Sequence, residues 1–394
     1  MDIQELLFQY NPWWVGTFST EGFINRTSYF EKLKKQIDSK PIIFLTGLRR
    51  VGKTTLMKIL IDYMIKSGID ENHIFYVSLD DYSLSKMLLS EILIEYRKIH
   101  KLSFDEKIYV FFDEITYKDD YHQQLKNIYD NQNVKLFVTS SSSSLLKDKK
   151  AFLTGRALTY EVKPLDFNEY LKFKGIEIKG SETYLFDSYF RDYMKEGGMP
   201  ENVLKPSREY LMNLIDDIIQ KDITAFNGLR NHQIVREYYT LLMERSGKQL
   251  SINKIANILK LSVDTARRYL GYFENTFLVH LLPRYGKTNE RLLSAKKLYA
   301  CDLGIKHLFI GDRDLGSYFE NYIYLKMKNN KELFYVYENG YEIDFITDDK
   351  ILIESKYNSE IKGKQKILFD EFDAKEKYVI DSVKKLKILE DFEK

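Results

Sequence analysis

The hydrophobic positions in the first 162 residues fall into short apolar runs separated by longer, mixed segments. Apolar runs of five or six residues predict buried strands, whereas apolar residues repeating every three or four positions predict amphipathic helices. The predicted strands lie at residues 41–46, 74–79, 107–112, 134–139 and 157–162. The pattern therefore predicts an α/β domain built on a parallel sheet.

The strand at 41–46 runs directly into the sequence GLRRVGKT, and a helical pattern begins immediately behind it. This is the GxxxxGKT pattern of a phosphate-binding loop, in which backbone N–H groups and a helix N-terminus surround the phosphates. Lys53 would reach the β- and γ-phosphates of ATP, and the Thr54 hydroxyl would bind Mg²⁺. The alternative is a chance glycine turn. The predicted nucleotide-binding residues are Gly47, Leu48, Arg49, Arg50, Val51, Gly52, Lys53, Thr54 and Thr55.

Two acidic residues, Asp113 and Glu114, follow the strand at 107–112. They match a Walker B pair, in which the first carboxylate acts at the metal and the second polarises the attacking water. The inserted strand at 74–79 and the second carboxylate favour the additional-strand, catalytic-glutamate branch of P-loop ATPases. The alternative is an acidic pair that only caps a strand.

Two further positions are candidates for completing a nucleotide site. The strand at 134–139 ends beside the Walker B strand, so either Thr139 or Ser141 is expected to orient the water. Arg156, which precedes the strand at 157–162, is a candidate for the arginine that reaches the γ-phosphate of a neighbouring subunit. That role requires a homo-oligomer, and the alternative is an ordinary surface arginine.

Several segments around these motifs resemble archaeal and bacterial STAND/AAA+-type ATPases, the DUF4143-type archaeal ATPase family. The matching segments are FINRTSYFEKL at 23–33, LTGR at 153–156, PLDFNEY at 164–170 and EGGMPE at 196–201. The resemblance implies an AAA+ P-loop core at residues 1–162 and a helical lid at 163–230. It also implies that Arg26 lies near the adenine end of the nucleotide, although Asn25 and Arg26 could equally be a helix cap and a helix-start salt bridge.

Residues 231–290 show helical patterns at 236–245, 251–260 and 263–273, followed by a strand-like run at 277–282. With a further run at 297–300, this order predicts a winged helix. The third helix of such a domain enters the major groove of DNA. Its exposed residues Thr265, Arg267 and Arg268 are therefore the candidate DNA contacts, unless the module only packs against other domains.

Residues 291–394 are predicted to fold in the order α-β-β-β-α-β, which is that of a restriction-endonuclease-like domain. Asp344, Glu354 and Lys356 fit the PD-(D/E)XK pattern, because Glu354 and Lys356 share one face of a strand and Asp344 lies on its hairpin partner. Asp344 and Glu354 would hold Mg²⁺, Lys356 would activate a water, and Glu320 would add a fourth polar group. The alternative is a strand-borne salt bridge between Glu354 and Lys356.

The resemblance continues through this region, where KLYACDLG at 297–304 matches a segment of the same ATPases. The leading hypothesis is an ATP-hydrolysing AAA+-type ATPase that acts at DNA and whose nucleotide state regulates a C-terminal Mg²⁺-dependent nuclease. The alternative is an ATP-gated switch or scaffold, whose nuclease-like domain is inactive and binds a partner.

Composition narrows these hypotheses only slightly. The 60 Lys and Arg nearly balance the 58 Asp and Glu, so the net charge of +2 argues neither for nor against a nucleic-acid partner. A single cysteine excludes an intramolecular disulfide, and the six histidines lack the spacing of a zinc site. Without a long apolar run or a basic leader, a cytoplasmic protein that does not enter a membrane is expected.

Overall fold

The computed structural model describes residues 2–142, 153 and 155–393. The chain divides into two compact units, Met1–Val162 and Lys163–Lys394. Each unit has its own hydrophobic core and its own main sheet. The predicted nucleotide site lies in the first unit, and the predicted acidic site lies in the second.

The first unit contains a five-stranded sheet in the order β2-β3-β4-β1-β5, with all neighbouring strands parallel. Nearly every residue in β1 to β4 is buried, as expected for strands covered by helices on both faces. The prediction of a parallel α/β sheet is therefore confirmed. The strands are β1 (Ile42–Thr46), β2 (Ile74–Ser78), β3 (Ile108–Asp113), β4 (Val134–Ser140) and β5 (Ala157–Glu161).

The helices described in the first unit pack their apolar faces against this sheet. Their shared core includes Leu7 of the first helix, Phe75 and Val110 of the strands, and Leu93 and Leu125 of later helices. The helices are α1 (Ile3–Tyr10), α2 (Thr27–Lys34), α3 (Lys53–Lys66), α4 (Leu89–His100) and α5 (Tyr121–Asn131).

The second unit begins with a set of helices, most of which have a buried apolar stripe. A π-helix, Ile218–Ala225, continues directly from the fourth of them. The helices described here are α6 (Phe167–Phe173), α7 (Phe186–Glu196), α8 (Pro200–Leu204), α9 (Arg208–Asp217), α10 (His232–Met243), α11 (Ile252–Ile258), α12 (Val263–Asn275), α13 (Thr288–Leu293), α14 (Leu303–Ile310), α15 (Leu315–Met327) and α16 (Gly363–Glu371).

The main sheet of the second unit has four strands in the order β11-β10-β9-β8. β8 and β10 run antiparallel to β9, whereas β11 runs parallel to β10. Together with α15 and α16, this gives the predicted chain order α-β-β-β-α-β. The strands are β8 (Leu333–Glu338), β9 (Tyr341–Thr347), β10 (Ile351–Ser355) and β11 (Glu376–Ile380).

The helices within the predicted lid, residues 163–230, share a core with the C-terminal sheet. The Phe190 ring lies 5.1 Å from Phe167 and 5.2 Å from Tyr322 between ring centroids. The same cluster includes Phe345 and Ile353 of the sheet. These helices are therefore built into the second unit, and their assignment as an ATPase lid stays a prediction.

A two-stranded antiparallel sheet, β6 (Val279–Leu282) with β7 (Lys297–Ala300), follows helix α12. Gln249 forms an isolated bridge to Lys297 on the other side of β7. The predicted boundary at 290/291 falls between the two paired strands, so the hairpin spans it. Helix α13 occupies the connection between these strands, for which the sequence pattern predicted no helix.

Gly198 marks a close backbone approach that holds the predicted lid segment in this core. Its carbonyl accepts a hydrogen bond from Leu165 N at 2.7 Å, and its N–H donates to Asp302 Oδ2 at 2.6 Å. A Cβ atom at this position would lie 2.0 Å from the Leu165 carbonyl oxygen. Only glycine therefore allows both contacts.

Replacing Gly198 by Ala is expected to destabilise the second unit by more than about 3 kcal/mol, because the new methyl group overlaps backbone atoms that cannot rotate away. The matched control is Gly271→Ala in helix α12, where an added Cβ meets nothing within 4 Å. That control should stabilise the protein by about 0.5–1 kcal/mol, because alanine favours helix. Urea or thermal unfolding of both variants measures the difference, and equal stabilities would contradict the close-packing explanation.

Candidate functional site

The predicted phosphate-binding loop connects β1 to α3, with Gly52 at the N-cap and Lys53 as the first helical residue. A Cβ atom on Gly47 would lie 2.2 Å from the Val162 carbonyl oxygen, so the loop can turn tightly against the chain beyond β5 only without a side chain there. The loop therefore leads directly into the N-terminus of α3, the part of a helix at which backbone N–H groups can bind a phosphate.

Lys53 is buried and folds back over its own loop. Its Nζ donates hydrogen bonds to Gly47 O at 2.9 Å, to Leu48 O at 3.0 Å and to Ser141 Oγ at 3.1 Å. These acceptors are uncharged. Phosphate oxygens are charged acceptors and form stronger hydrogen bonds with an ammonium group, so a nucleotide would compete well for Lys53.

The Asp113 carboxylate lies at the carboxyl end of β3, among three hydroxyl groups. Its Oδ2 accepts hydrogen bonds from Thr54 Oγ1 at 2.6 Å and from Tyr76 OH at 2.8 Å. Its Oδ1 accepts one from Thr139 Oγ1. The structure thus brings together Thr54, Asp113 and Thr139, three of the predicted site residues.

Tyr76 was not predicted as a site residue. It lies on β2, and its backbone pairs in register with Phe111 of β3, two residues before Asp113. Burial, followed by the Asp113 charge, raises the pKa of the Tyr76 hydroxyl, so it acts as a hydrogen-bond donor. A tyrosine in an otherwise apolar strand next to the Walker B strand was the available signal.

Glu114 has a left-handed backbone conformation, with φ of 52°. This conformation costs roughly 1 kcal/mol for a residue other than glycine, and such residues cluster at functional sites. Its N–H donates to Thr139 Oγ1 at 2.8 Å, and its Oε1 accepts from Ser141 Oγ at 2.5 Å. The other oxygen, Oε2, is buried and has no hydrogen-bond partner among the described residues. That oxygen can accept a proton from water.

The two candidates for the water-orienting residue therefore have different partners. Thr139 contacts Asp113 and the backbone of Glu114. Ser141 connects the side chains of Lys53 and Glu114 through one hydroxyl group. Sequence alone left the choice open, and the structure places both hydroxyls in the site.

Among the remaining predicted nucleotide contacts, Arg26 braces the loop from within the protein. Its side chain is buried, donates from Nη1 to Val51 O at 3.2 Å and lies 4.6 Å from the centre of the Tyr29 ring. On the same loop, Arg49 lies 3.5 Å from Tyr117 OH, and Arg50 has a left-handed φ of 65°. These contacts give Arg26 a structural role in holding the loop.

Arg156, the candidate arginine finger, forms an ion pair within its own unit. Its Nε lies 3.0 Å from Asp130 Oδ1, and its Nη2 lies 3.4 Å from Asp130 Oδ2. Thr154 of the LTGR segment lies outside the described residues. Action on a neighbouring subunit would require the Asp130 pair to open, and it stays a prediction.

The first site suits a nucleotide with Mg²⁺. Thr54 supplies a hydroxyl and Asp113 a carboxylate, 2.6 Å apart, and Mg²⁺ prefers such hard oxygen ligands alongside substrate phosphates. Each hydrogen bond to Asp113 comes from an uncharged hydroxyl. None of these three contacts places a cation of the chain against the carboxylate.

The second unit brings together the predicted acidic residues, Asp344 in the middle of β9 and Glu354 near the end of β10. Asp344 N donates to Glu354 Oε2 at 3.2 Å, and Lys356 Nζ lies 2.8 Å from Glu354 Oε1. Asp344 is buried, and Glu354 is fully buried. The three residues that the sequence pattern grouped, Asp344, Glu354 and Lys356, therefore lie close together in the fold.

Lys297 lies at the centre of this acidic cluster, although sequence reasoning gave it no role. Its side chain is only 1% exposed. Its Nζ lies 2.6 Å from Glu320 Oε1, 2.6 Å from Glu342 Oε1 and 3.2 Å from Asp344 Oδ1. The signal in the sequence was a lysine that begins a short apolar strand, KLYA.

The chain supplies further hydrogen-bond donors to both predicted metal ligands, Asp344 and Glu354. Asp344 Oδ2 accepts from Ser355 N at 3.0 Å and from Ser355 Oγ at 2.8 Å. Glu354 Oε1 accepts from Gln365 Nε2 at 2.8 Å as well as from Lys356. In the described part of the chain, no group of three or more His, Cys, Asp or Glu is arranged to hold a metal ion. These residues do not fit the Mg²⁺ that the nuclease pattern implies.

Electrostatics in this cluster follow from burial and from crowded carboxylates. Burial, then repulsion from Asp344, raises the pKa of Glu354 to about 8, against the opposing charge of Lys356. The same two causes raise the pKa of Glu320 to about 7, against the opposing charge of Lys297. Burial alone would lower the pKa of Lys297, but attraction from Glu320 and its neighbours raises it well above its usual value.

The predicted DNA contacts lie on helix α12, whose N-cap is Ser262. Ser262 Oγ accepts from the N–H of Thr265 at 3.1 Å. Arg267 and Arg268 are exposed, and Arg267 forms an ion pair with Asp264 at 3.1 Å. Ion pairs between exposed side chains contribute little, so this pair leaves Arg267 able to contact another molecule.

Among the described residues, no helix has both the length and the apolar character needed to cross a membrane.

Comparison with protein families identifies two regions of the chain. Residues 39–171 match the model of an AAA domain, which contains the phosphate-binding loop and the Walker B pair. Residues 187–315 match a domain of unknown function, DUF8612.

Among solved structures, AMPPCP-bound DnaA from Aquifex aeolicus aligns with 66% of this chain and 89% of its own, at 15% identity and a TM-score of 0.30. PCH-2 from C. elegans aligns with 62% of this chain and 67% of its own, at 20% identity and a TM-score of 0.27. TM-scores this low carry no inference about this chain.

Curated relatives are similar over most of their length. An uncharacterized protein from Haemophilus influenzae is 26% identical over 320 residues, which cover 78% of this chain and 79% of the relative. The uncharacterized protein MJ1544 from Methanocaldococcus jannaschii is 30% identical over 356 residues, which cover 85% of this chain and 78% of the relative. The chain is therefore an AAA-domain protein and belongs to the family of MJ1544.

Proposed function

We propose that this protein binds ATP with Mg²⁺ in the first unit and hydrolyses it there. The observation that carries the proposal is the convergence of Thr54, Asp113 and Glu114 beside the buried ammonium of Lys53. These residues come from α3 and from the carboxyl end of β3, which is where ligands bind in open parallel sheets.

Each residue has a distinct part in this proposal. The Lys53 ammonium leaves its backbone acceptors to contact the β- and γ-phosphates. Thr54 and Asp113 hold Mg²⁺, which neutralises charge on the phosphates. Glu114 accepts a proton from the attacking water through Oε2. Thr139 and Ser141 hold Glu114 in position through their hydrogen bonds with it.

Two substitutions separate binding from hydrolysis. Lys53→Ala should abolish most ATP binding, because it removes the cation that contacts the phosphates. Glu114→Gln should retain binding but lose on the order of 10²-fold or more in turnover, because an amide cannot accept the proton. Nucleotide titration and steady-state phosphate release measure the two effects.

The control for these variants is Lys66→Ala, at the other end of helix α3, where the lysine pairs with Asp62 at 2.9 Å. It removes the same charge and should leave both binding and turnover unchanged. Normal hydrolysis by Glu114→Gln would remove Glu114 as the base, whereas normal binding by Lys53→Ala would contradict the nucleotide site itself.

The assembly state belongs to the same proposal. Arg156 of one subunit completes the site of a neighbour in a homo-oligomer, after its pair with Asp130 opens. Two observations support this role: Arg156 lies directly before β5, and residues 39–171 match the model of an AAA domain. Dependence of turnover on protein concentration tests it.

The helices α10 to α12 with the β6–β7 hairpin form a winged helix in this proposal, and the exposed face of α12 contacts DNA. The support is the order of elements, together with Arg267 and Arg268 on one exposed face beside Thr265. A recognition helix presents polar and basic side chains to the major groove in this way.

If α12 contacts DNA, the double variant Arg267→Ala/Arg268→Ala should weaken binding to duplex DNA. The slope of log affinity against log salt should fall by about 2, because two phosphate neutralisations are lost. Fluorescence anisotropy over a salt series measures this slope. The control is Lys362→Ala/Lys364→Ala, which removes the same charge from exposed residues elsewhere. Equal slopes for both double variants would indicate that α12 only packs against protein.

The C-terminal sheet with α15 and α16 has the element order of a restriction-endonuclease-like core, and we assign that fold to residues 291–394. Its role is either Mg²⁺-dependent DNA cleavage regulated by the nucleotide state or binding of a partner by an inactive domain. The contacts favour the second role, because Asp344 and Glu354 are already paired with the ammonium groups of Lys297 and Lys356.

A further inference from the structure

We propose that Lys297 is a built-in cation that replaces a divalent metal in the acidic cluster of the second unit. The cluster then serves to fasten strand β7 to the four-stranded sheet, and it does not cleave phosphodiester bonds. This inference rests on the nuclease-like fold proposed for residues 291–394, and it assigns to Lys297 a role that the motif does not contain.

The geometry around the ammonium group carries the first step. A lysine Nζ has three N–H donors. Three carboxylates, those of Glu320, Glu342 and Asp344, lie 2.6, 2.6 and 3.2 Å from Lys297 Nζ. They come from α15 and β9, whereas Lys297 lies on β7. The Lys297 ammonium group therefore has an acidic partner for each of its three N–H donors, and these partners come from two other elements.

Lys297 is held in this position by its backbone and by its neighbours. Its strand pairs with β6 on one side, and on the other side Leu298 N donates to Lys248 O at 3.1 Å. With a side-chain exposure of 1%, Lys297 has no path to solvent without movement of the strand. It is a fixed part of the cluster, unlike a surface lysine that approaches an acid transiently.

The same region of the chain supplies two further donors to the acids. Tyr299, two residues along β7 and so on the same face, donates from OH to Glu320 Oε1 at 2.6 Å. Gln249, which bridges to β7, donates from Nε2 to Glu342 Oε2 at 3.0 Å. The interaction between β7 and the sheet is therefore a network of several contacts.

The donor set leaves no suitable place for a divalent ion. Mg²⁺ requires six oxygen ligands in near-octahedral geometry, at about 2.0–2.1 Å. Asp344 Oδ1 contacts Lys297, and its Oδ2 accepts two hydrogen bonds from Ser355. A divalent ion on Asp344 would also lie within a few ångströms of the Lys297 ammonium, and the two positive charges would repel each other in a buried site.

The first test compares the full-length wild type with Asp344→Asn, titrated with Mn²⁺ in the absence of nucleotide. Loss of the free Mn²⁺ signal in electron paramagnetic resonance reports the bound metal. Any Mn²⁺ on the phosphate-binding loop is the same in both proteins. The expected result is equal binding, and a site present in wild type but absent in Asp344→Asn would overturn the proposal.

The second test removes the cation with Lys297→Met, which keeps the length of the side chain. The thermal midpoint should fall by roughly 10 °C, because the buried Asp344 and the partly buried Glu320 and Glu342 lose their counter-charge. The variant should also gain Mn²⁺ binding, which restores part of the lost midpoint and disappears in Lys297→Met/Asp344→Asn. A variant with unchanged midpoint and no gain of Mn²⁺ would contradict the proposal. If Lys297→Met does not fold, the wild-type comparison above still decides it.

The matched control is Lys306→Met on helix α14. Lys306 is also fully buried, but its Nζ donates to Ser317 O at 2.8 Å and to Ser317 Oγ at 3.0 Å. Because its contacts are uncharged, this variant should lose stability without gaining Mn²⁺. Mn²⁺ binding by Lys306→Met would mean that the gain in Lys297→Met is non-specific, which would overturn the assignment.

The third test measures DNA cleavage with Mg²⁺ or Mn²⁺, with and without ATP, by wild type and by Asp344→Ala. Equal, background cleavage by both is expected, and cleavage that requires Asp344 would overturn the proposal. Phosphate release from ATP by the same preparation reports separately on the first unit. Failure of the ATPase proposal is therefore distinguishable from failure of this one.

Discussion

The fold of the first unit depends on keeping one buried carboxylate supplied with hydrogen-bond donors. Asp113 is 3% exposed, and an ionised acid so far from water is strongly disfavoured unless it is paired. Its three donors come from different elements: Thr54 from α3, Tyr76 from β2 and Thr139 from β4. The parallel order β2-β3-β4-β1 puts these elements side by side at one edge. Satisfying Asp113 and assembling the nucleotide site are thus the same structural requirement.

The second unit also contains a buried carboxylate, that of Asp344, but the groups that pair with it differ from those around Asp113. The difference distinguishes a carboxylate that could bind a metal from one that is already paired with a cation. Around Asp113 the donors are neutral hydroxyls, so the negative charge remains available to a cation. Around Asp344 the donors include the ammonium of Lys297, which neutralises charge directly. Two buried aspartates on strands, Asp113 and Asp344, therefore differ in whether a cation of the chain already pairs with them. The nature of the donors decides this, and the acidic motif by itself does not.

Patterns within short stretches of sequence predicted the parts of the structure that depend on residues close together in the chain. The GxxxxGKT loop and the apolar strands fixed the parallel sheet, and the rule that parallel strands end at one edge placed Asp113 next to Thr139. Lys297 could not be found in this way, because its partners lie 23 to 47 residues further along the chain. The local signal, a lysine that begins the apolar strand KLYA, does not identify the acids with which Lys297 pairs. Helix α13 was missed because Leu292 and Leu293 are exposed and mark no buried face.

The position of Lys297 also links the proposed DNA-binding helix to the acidic cluster within one unit. Helix α12 leads into β6, where Leu278 N donates to Phe273 O at 3.0 Å, and β6 pairs with β7. Since Lys297 and Tyr299 hold β7 against the acids of α15 and β9, the orientation of α12 is fixed relative to the sheet. Buried ion pairs often add little net stability, but they impose a specific arrangement, because a misplaced partner leaves a charge unpaired. If the proposals for α12 and Lys297 hold, the acidic cluster aligns the face that carries Arg267 and Arg268 with the four-stranded sheet.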